Sequence, residues 1–270
     1  MSFPNMLQFA PRGAVRCRGR EYMVVVCESD PAAIRAALPL PLEPDGSNTV
    51  RLRFMATRDP NRAGSYVETD LVIPATFGGA PVDFTAQRYA DEEIPAVAAA
   101  ADVAAWPRRP GRTRLLFMRA TAAAVLEVGG QAAVLAEMGH GKYGLVSGAT
   151  CASTAGAVRR LLAPLQVNLK RLSAANGRAA VAQLVASGIE NLRVHAAWSG
   201  AARLHRSPAC LAPIGTFPLL RVIGGFNFVA DVTLARTQVL FDYKREARRP
   251  IRAVLADLAA DLSPRLQEMA

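Results

Sequence analysis

Residues 66–89 read YVETDLVIPATFGGAPVDFTAQRY. The run Tyr66 to Pro74 is rich in the residues that suit a pleated surface, and it predicts a strand. Gly78-Gly79 supplies a turn, because glycine enters the left-handed backbone region that tight hairpin connections require. Val82 to Tyr89 then returns, so 66–89 is expected to form a β-hairpin. Upstream, Val50 to Thr57 alternates, with Arg51, Arg53 and Met55 on one side and Leu52 and Phe54 on the other. That period of two predicts a strand with one polar face. Glu21 to Cys27 is short and β-branched and predicts another. Between them Asp30 is placed to cap a helix and Pro31 to open it, with Pro39 and Pro41 ending it after Leu38.

The same punctuation continues downstream. Leu115–Arg119, Ala122–Val128 and Gln131–Glu137 predict short strands, as do Leu165–Leu172, Ala179–Ala186, Asn191–Trp198, Pro218–Phe228 and Phe228–Phe241. Helices are fewer. Ala96–Ala105 is almost all alanine and valine, and Trp106-Pro107-Arg108-Arg109-Pro110-Gly111 then breaks it as a rigid loop. Ser153 or Thr154 is expected to cap a helix running through Leu162 and stopped by Pro164. Many short strands with few helices imply a mainly β (α+β) fold, closed or sandwich-like, with accessory helices. Residues 1–246 are expected to form one domain. In 247–270, Val254, Leu255, Leu258, Leu262 and Leu266 fall at helical spacing and predict an amphipathic helical extension, packed back on the body or meeting another subunit.

Composition narrows the function. Over 270 residues, 51% are hydrophobic, enough for a sizeable core. The net charge of +10 comes almost wholly from arginine, since Lys142, Lys170 and Lys244 are the only lysines. These charges are spread along the chain with no basic arm, so nucleic acid is not an expected partner, whereas a small anionic substrate is. No apolar run is long enough to span a bilayer, and Met1–Pro11 does not resemble a secretion signal, so no membrane partner and a cytoplasmic location are expected. Cys17, Cys27, Cys151 and Cys210 form no CxxC pair, and His140, His195 and His205 are scattered. Neither a metal nor a cofactor is expected, and no serine or cysteine sits in a recognisable nucleophile–base pattern.

Several segments, in order and spacing, resemble the acetoacetate decarboxylase family: Pro11-Arg12-Gly13, Gly19-Arg20-Glu21-Tyr22, Leu38-Pro39-Leu40-Pro41-Leu42-Glu43, Val50-Arg51, Met55-Ala56, Tyr66-Val67-Glu68, Ile73-Pro74, Asp102 to Gly111, Met138-Gly139, Val194 to Gly200, Leu211-Ala212-Pro213 and Asp242-Tyr243. The resemblance covers about residues 11–243. It implies a β-cone, a closed twisted arrangement of strands around a central pocket, and assembly as a homo-oligomer. It also implies an imine mechanism, in which a lysine amine condenses with a ketone. The family's Lys-Lys pair follows an aromatic-proline step, which here is Trp106-Pro107 followed by Arg108-Arg109. Guanidinium stays protonated and delocalised and does not form imines at ordinary pH.

Carried over position by position, the resemblance makes Arg20, Glu68 and Arg108 the expected catalytic residues. Arg20 is suited to bidentate carboxylate binding and Glu68 to proton transfer. A second family glutamate falls on Arg53. Arg53, Trp106, Arg109, Lys142 and Leu211 are the expected substrate-binding positions, Lys142 because it lies among glycines after Met138-Gly139. The sequence therefore leads to an oxo-acid or similar small oxyanion as ligand, with non-imine lyase, hydratase, isomerase or cyclase chemistry in a specialised pathway. The alternatives are a non-catalytic sensor or carrier and an imine-forming decarboxylase or aldolase using Lys142.

Overall fold

A computed structural model describes residues 14–57, 66–91, 108–118, 121–139, 148–173, 179–207, 210 and 212–246. The first third of the chain runs β1 (Val15–Ser29), α1 (Pro31–Ala37), β2 (Glu43–Pro44), β3 (Thr49–Thr57), β4 (Tyr66–Phe77) and β5 (Ala80–Ala90). There follow β6 (Arg109–Pro110), β7 (Arg112–Met118), β8 (Thr121–Val128), β9 (Gln131–Gly139) and α2 (Gly148–Leu162). The last part holds β10 (Leu165–Ser173), β11 (Ala179–Ser187), β12 (Ile189–Gly200), β13 (Ala202–Arg206), α3 (Pro213–Thr216), β14 (Leu219–Leu234), β15 (Gln238–Asp242) and α4 (Tyr243–Glu246). The fold is mainly β with few helices, as the sequence implies. Among the described residues no helix is long and apolar enough to cross a membrane.

Two sheets carry the molecule. The larger has the order β12-β14-β1-β3-β4-β5-β10-β11-β15, with β2 on β4 and β6 on β5; the smaller has the order β13-β9-β8-β7. Within the described residues the pairing of the larger sheet is an open path from β12 to β15. The expected hairpin is its centre: β4 and β5 meet across Gly78-Gly79, both at positive φ. Asp30 caps α1 by accepting from the Ala32 amide, and Pro31 is its first residue.

Two strand and helix expectations need correction. The helix ending at Leu162 begins at Gly148, so Ser153 and Thr154 lie inside it rather than capping it. Gly148, Thr150 and Cys151 are weak helix formers, so local propensity does not announce the extra turn. The chain also does not break at Phe228. That residue sits within β14, paired with Tyr22 on one side and Ala197 on the other, and the break falls after Leu234. The expected helices at 96–105 and 251–266, and the extension 247–270, lie outside the described residues.

Each face of the larger sheet has its own core. Met23, Val25, Leu52, Phe54, Leu71, Ile73 and Tyr89 face the smaller sheet and pack with Ala122, Ala124, Leu126, Val134, Ala136 and Met138. The alanines let the two sheets approach closely, so side chains as large as Phe54 are fully buried. On the opposite face Tyr22, Val24, Met55, Phe228 and Ala230 pack with Val158 and Leu162 of α2. The strand expected to have one polar face is buried on both, because α2 covers the polar side.

Truncating Phe54 to alanine is expected to destabilise the protein by about 3–5 kcal/mol, whereas the same change at Leu220, 65% exposed, should fall within about 0.5 kcal/mol of wild type. Urea unfolding of the two variants checks this.

Candidate active site

The face beneath α2 is where the charges gather. Residues of one strand that are two apart share a face, and pairing register aligns them across strands. Met55 lies opposite Glu68, Arg53 opposite Asp70, and Arg88 opposite Asp70 from the other side. Arg20 joins this face from β1, beyond Tyr22 and Val24. Arg108 arrives from outside the strands. Its neighbours Arg109 and Pro110 pair in parallel with Tyr89 and Ala90, and the Gly111 amide donates to Ala90 O at 3.1 Å. Gly111 is tightly enclosed: a Cβ would sit 3.1 Å from Leu126 Cδ1 and 3.1 Å from Tyr89 Cδ1, so those side chains would have to give way to admit one. The tether holds Arg108 next to Glu68, the residue that Ala90 pairs with on β4.

Glu68 is 3% exposed and stands between two guanidiniums. Arg20 Nη2 donates to Oε2 at 3.3 Å, and Arg108 Nη2 lies 3.8 Å from Oε1. Arg20 also lies over the Tyr22 ring at 5.4 Å, and that ring stacks on Phe228 with centroids 4.5 Å apart. Its Nε is buried with no hydrogen-bond partner among the described residues. Burial pulls the Arg108 guanidinium below its ordinary value, with Glu68 acting the other way. Burial, and then the charge of Glu68, pushes the Tyr66 phenol up.

A second set of ions lies deeper. Asp70 has no exposed surface; Arg88 Nε and Nη2 each reach it at 2.7 Å, and Arg53 Nη2 at 2.8 Å. Burial alone would push this carboxyl up, but Arg88 and then Arg53 outweigh it and hold it down at about 2. Burial likewise works against the Arg88 charge, and Asp70 followed by Glu68 overcomes it and holds the guanidinium above its ordinary value. Arg53 also donates to Gln166 Oε1. Arg51 grips Asp83 at 2.9 and 2.8 Å, and burial pushes that carboxyl up. Arg51, Arg53 and Asp83 line a small recess with Val24, Val72, Leu161 and Leu162.

The structure thus brings Arg20, Glu68 and Arg108 together. It places Arg53 in the adjoining ion set, with Asp70 and Gln166 as partners. Arg109, the first residue of the two-residue β6, is exposed and does not join Arg108 at Glu68. Trp106, Lys142 and Leu211 lie outside the described residues. Sequence reasoning missed Asp70, Arg88 and Gln166. The spacing of Glu68 and Asp70 was the available signal for the first.

With this geometry in hand, likeness to known proteins is informative. The family model described as acetoacetate decarboxylase (ADC) matches residues 4–244, and the chain belongs to that family. Acetoacetate decarboxylase of Chromobacterium violaceum is 32% identical over 236 residues, covering 87% of this chain and 92% of the relative. The crystal structure of acetoacetate decarboxylase from Legionella pneumophila superposes with a TM-score of 0.78 at 26% identity, covering 90% of this chain and 93% of that one. The fold is also similar to that of the enduracididine biosynthesis enzyme MppR complexed with pyruvate, with a TM-score of 0.66 at 18% identity, covering 86% of this chain and 92% of that one.

Removing the Asp70 carboxylate would leave Arg53 and Arg88 buried without their counter-charge. Asp70→Ala is expected to cost about 3–5 kcal/mol. Because the folded pKa is depressed, the stability from Asp70 ionisation is complete above the unfolded value of about 3.9 and is lost as pH falls towards about 2. Denaturation between pH 6 and pH 2 should therefore show wild type losing its advantage over Asp70→Asn across that window.

Proposed function

We propose that this protein binds a small oxo-acid or related oxyanion at Arg20, Glu68 and Arg108 and transforms it without forming an imine. The observation that carries the proposal is the Arg108 guanidinium 3.8 Å from Glu68, at a position that resembles the family's amine nucleophile. A guanidinium at that place is no nucleophile. It is instead a fixed positive charge, suited to stabilising negative charge that develops on a carbonyl oxygen as an enolate forms. Arg20, whose buried Nε has no hydrogen-bond partner among the described residues, is suited to take a ligand carboxylate. The Glu68 carboxylate is the group that accepts a proton from the carbon next to the carbonyl and returns it.

Charge supports the same reading. Among the described residues, Arg20, Arg51, Arg53, Arg88 and Arg108 share one sheet region with Glu68, Asp70 and Asp83, with which they form ion pairs. The excess of positive charge favours an anion. Enolate chemistry of this kind serves lyase, hydratase, isomerase or cyclase reactions alike. The proposal places the chain in the cytoplasm as a homo-oligomer acting on a small molecule in a specialised pathway. Pyruvate, which the fold neighbour MppR holds, is the natural first probe.

Two measurements test the proposal. Intact mass after incubation with acetoacetate or pyruvate, with and without borohydride, should reveal no substrate-sized adduct; an adduct on Lys142 or another lysine would restore imine chemistry. Proton NMR in D2O should show deuterium entering C3 of pyruvate, slowed about 10²- to 10⁴-fold by Glu68→Gln. Binding without exchange would make the protein a sensor or carrier instead.

A further inference from the structure

Arg20 reaches the buried face only because β1 carries an extra residue. Cys17 and Arg20 are three apart, an odd number, yet both are buried on the same side. The register explains it: Cys17 pairs with Val232 and Arg20 with Ala230, three steps on β1 against two on β14. An inserted residue flips the side-chain parity of everything beyond it. Gly19 absorbs the insertion at φ +55. A Cβ there would meet nothing within 4 Å, so the backbone conformation and not space makes glycine the fitting residue.

A second irregularity lies directly across β14. On β12, Val194 pairs with Ala230 and Ala196 with Val229, which leaves His195 as the extra residue. The parity signature repeats, since Val194 and Ala197 pack in the same apolar cluster although three apart. Asp231 stands between the two irregularities, on the outer side of β14 from Ala230 and Val232. Its Oδ1 accepts from the Gly19 amide at 2.8 Å and from His195 Nε2 at 2.9 Å. One carboxylate oxygen thus pins a bulge on each neighbouring strand. The Gly19 amide, and then His195, hold this carboxyl below the usual carboxylate range.

We propose that Asp231, oriented by His195, is a positioning residue that fixes the Gly19 bulge and thereby holds the Arg20 guanidinium at Glu68. It touches no substrate; it acts through the backbone of β1, from the opposite side of the sheet. Without it, the Gly19 amide loses the side-chain partner that sets the bulge, and Arg20 is free to rotate away from Glu68. The proposal rests on the reading above in one respect, that Arg20 binds the ligand.

The experiment is a double-mutant cycle on the full chain, read as the dissociation constant of oxalate, a planar mimic of the enolate of pyruvate, with thermal melting as the folding control. Arg20→Ala should weaken oxalate, and Asp231→Ala should weaken it roughly three- to tenfold. The double variant should bind no worse than Arg20→Ala alone, because Asp231 acts only through that arginine. Asp231→Asn, whose amide oxygen can still accept both hydrogen bonds, should stay within about twofold of wild type. His195 is 37% exposed at its side chain, so His195→Ala leaves the core intact and carries the same cycle should Asp231→Ala fail to fold. If Arg20→Ala weakens oxalate while the Asp231 and His195 variants do not, or if their losses add fully to it, the positioning role is overturned and the arginine site stands. If Arg20→Ala leaves oxalate binding unchanged, the arginine site itself is overturned, and the positioning role with it.

Discussion

Asp70 has no exposed surface, and its carboxylate is met by Arg88 from β5 and Arg53 from β3. Charges taken out of water cost several kcal/mol each unless geometry and hydrogen bonds compensate them. Here both arginines and the aspartate lie on three adjacent strands, so the compensation is set by strand register alone. Apolar residues around them exclude water and strengthen the pairing. The central β3-β4-β5 unit can shift neither strand without leaving a buried charge unmatched. Everything that approaches this face, from Arg20 on β1 to Arg108 on its tethered segment, meets an electrostatic surface already fixed.

Glu68 inherits its surroundings from that arrangement. It is two residues from Asp70 on the same strand, so it shares the face, and Arg88 feels both carboxylates. Arg20 and Arg108 close on it from opposite chain segments, one delivered by a bulge and the other by the Gly111 tether. Neither arginine lies in uninterrupted strand geometry. The two groups at the site's rim thus depend on local irregularities, while the ions beneath depend on regular pairing. Regular ladders give rigidity, and bulges redirect single side chains at the edge of a site.

The hairpin at 66–89 was legible because its signals are local: β-branched runs and a Gly-Gly turn. The face of Glu68 and Asp70 followed from alternation, and the trio of Arg20, Glu68 and Arg108 from ordered resemblance to a family. The partner of Asp70 was not legible. Counted back from the turn, Val72 pairs with Thr85 in step, but Leu71 pairs with Gln87, so one residue of β5 is passed over and Arg88 comes opposite Asp70. Nothing in the residues near Ala86 announces that slip, and one residue of register decides which side chain meets the carboxylate. Arg53 was expected to face a ligand, and its engagement by Asp70 and Gln166 joins residues up to 113 positions apart. The start of the helix at Gly148 and the continuity of β14 through Phe228 were misjudged for a related reason: alanine-rich and β-branched stretches carry weak boundary signals, and packing places the ends.

The sequence by itself determined a mainly β chain, the central hairpin, the arginine at position 108 and the family to which the chain belongs. These rest on local propensity, on periodicity and on residue identity, all of which are present before folding. Only the tertiary structure decided which carboxylate each arginine meets, that Arg108 lies at Glu68 while Arg109 is exposed, and that Asp231 and His195 reach the Gly19 bulge. Those outcomes depend on register and parity between strands distant in sequence. A single inserted residue reverses them, and no local pattern records where such a residue will be absorbed.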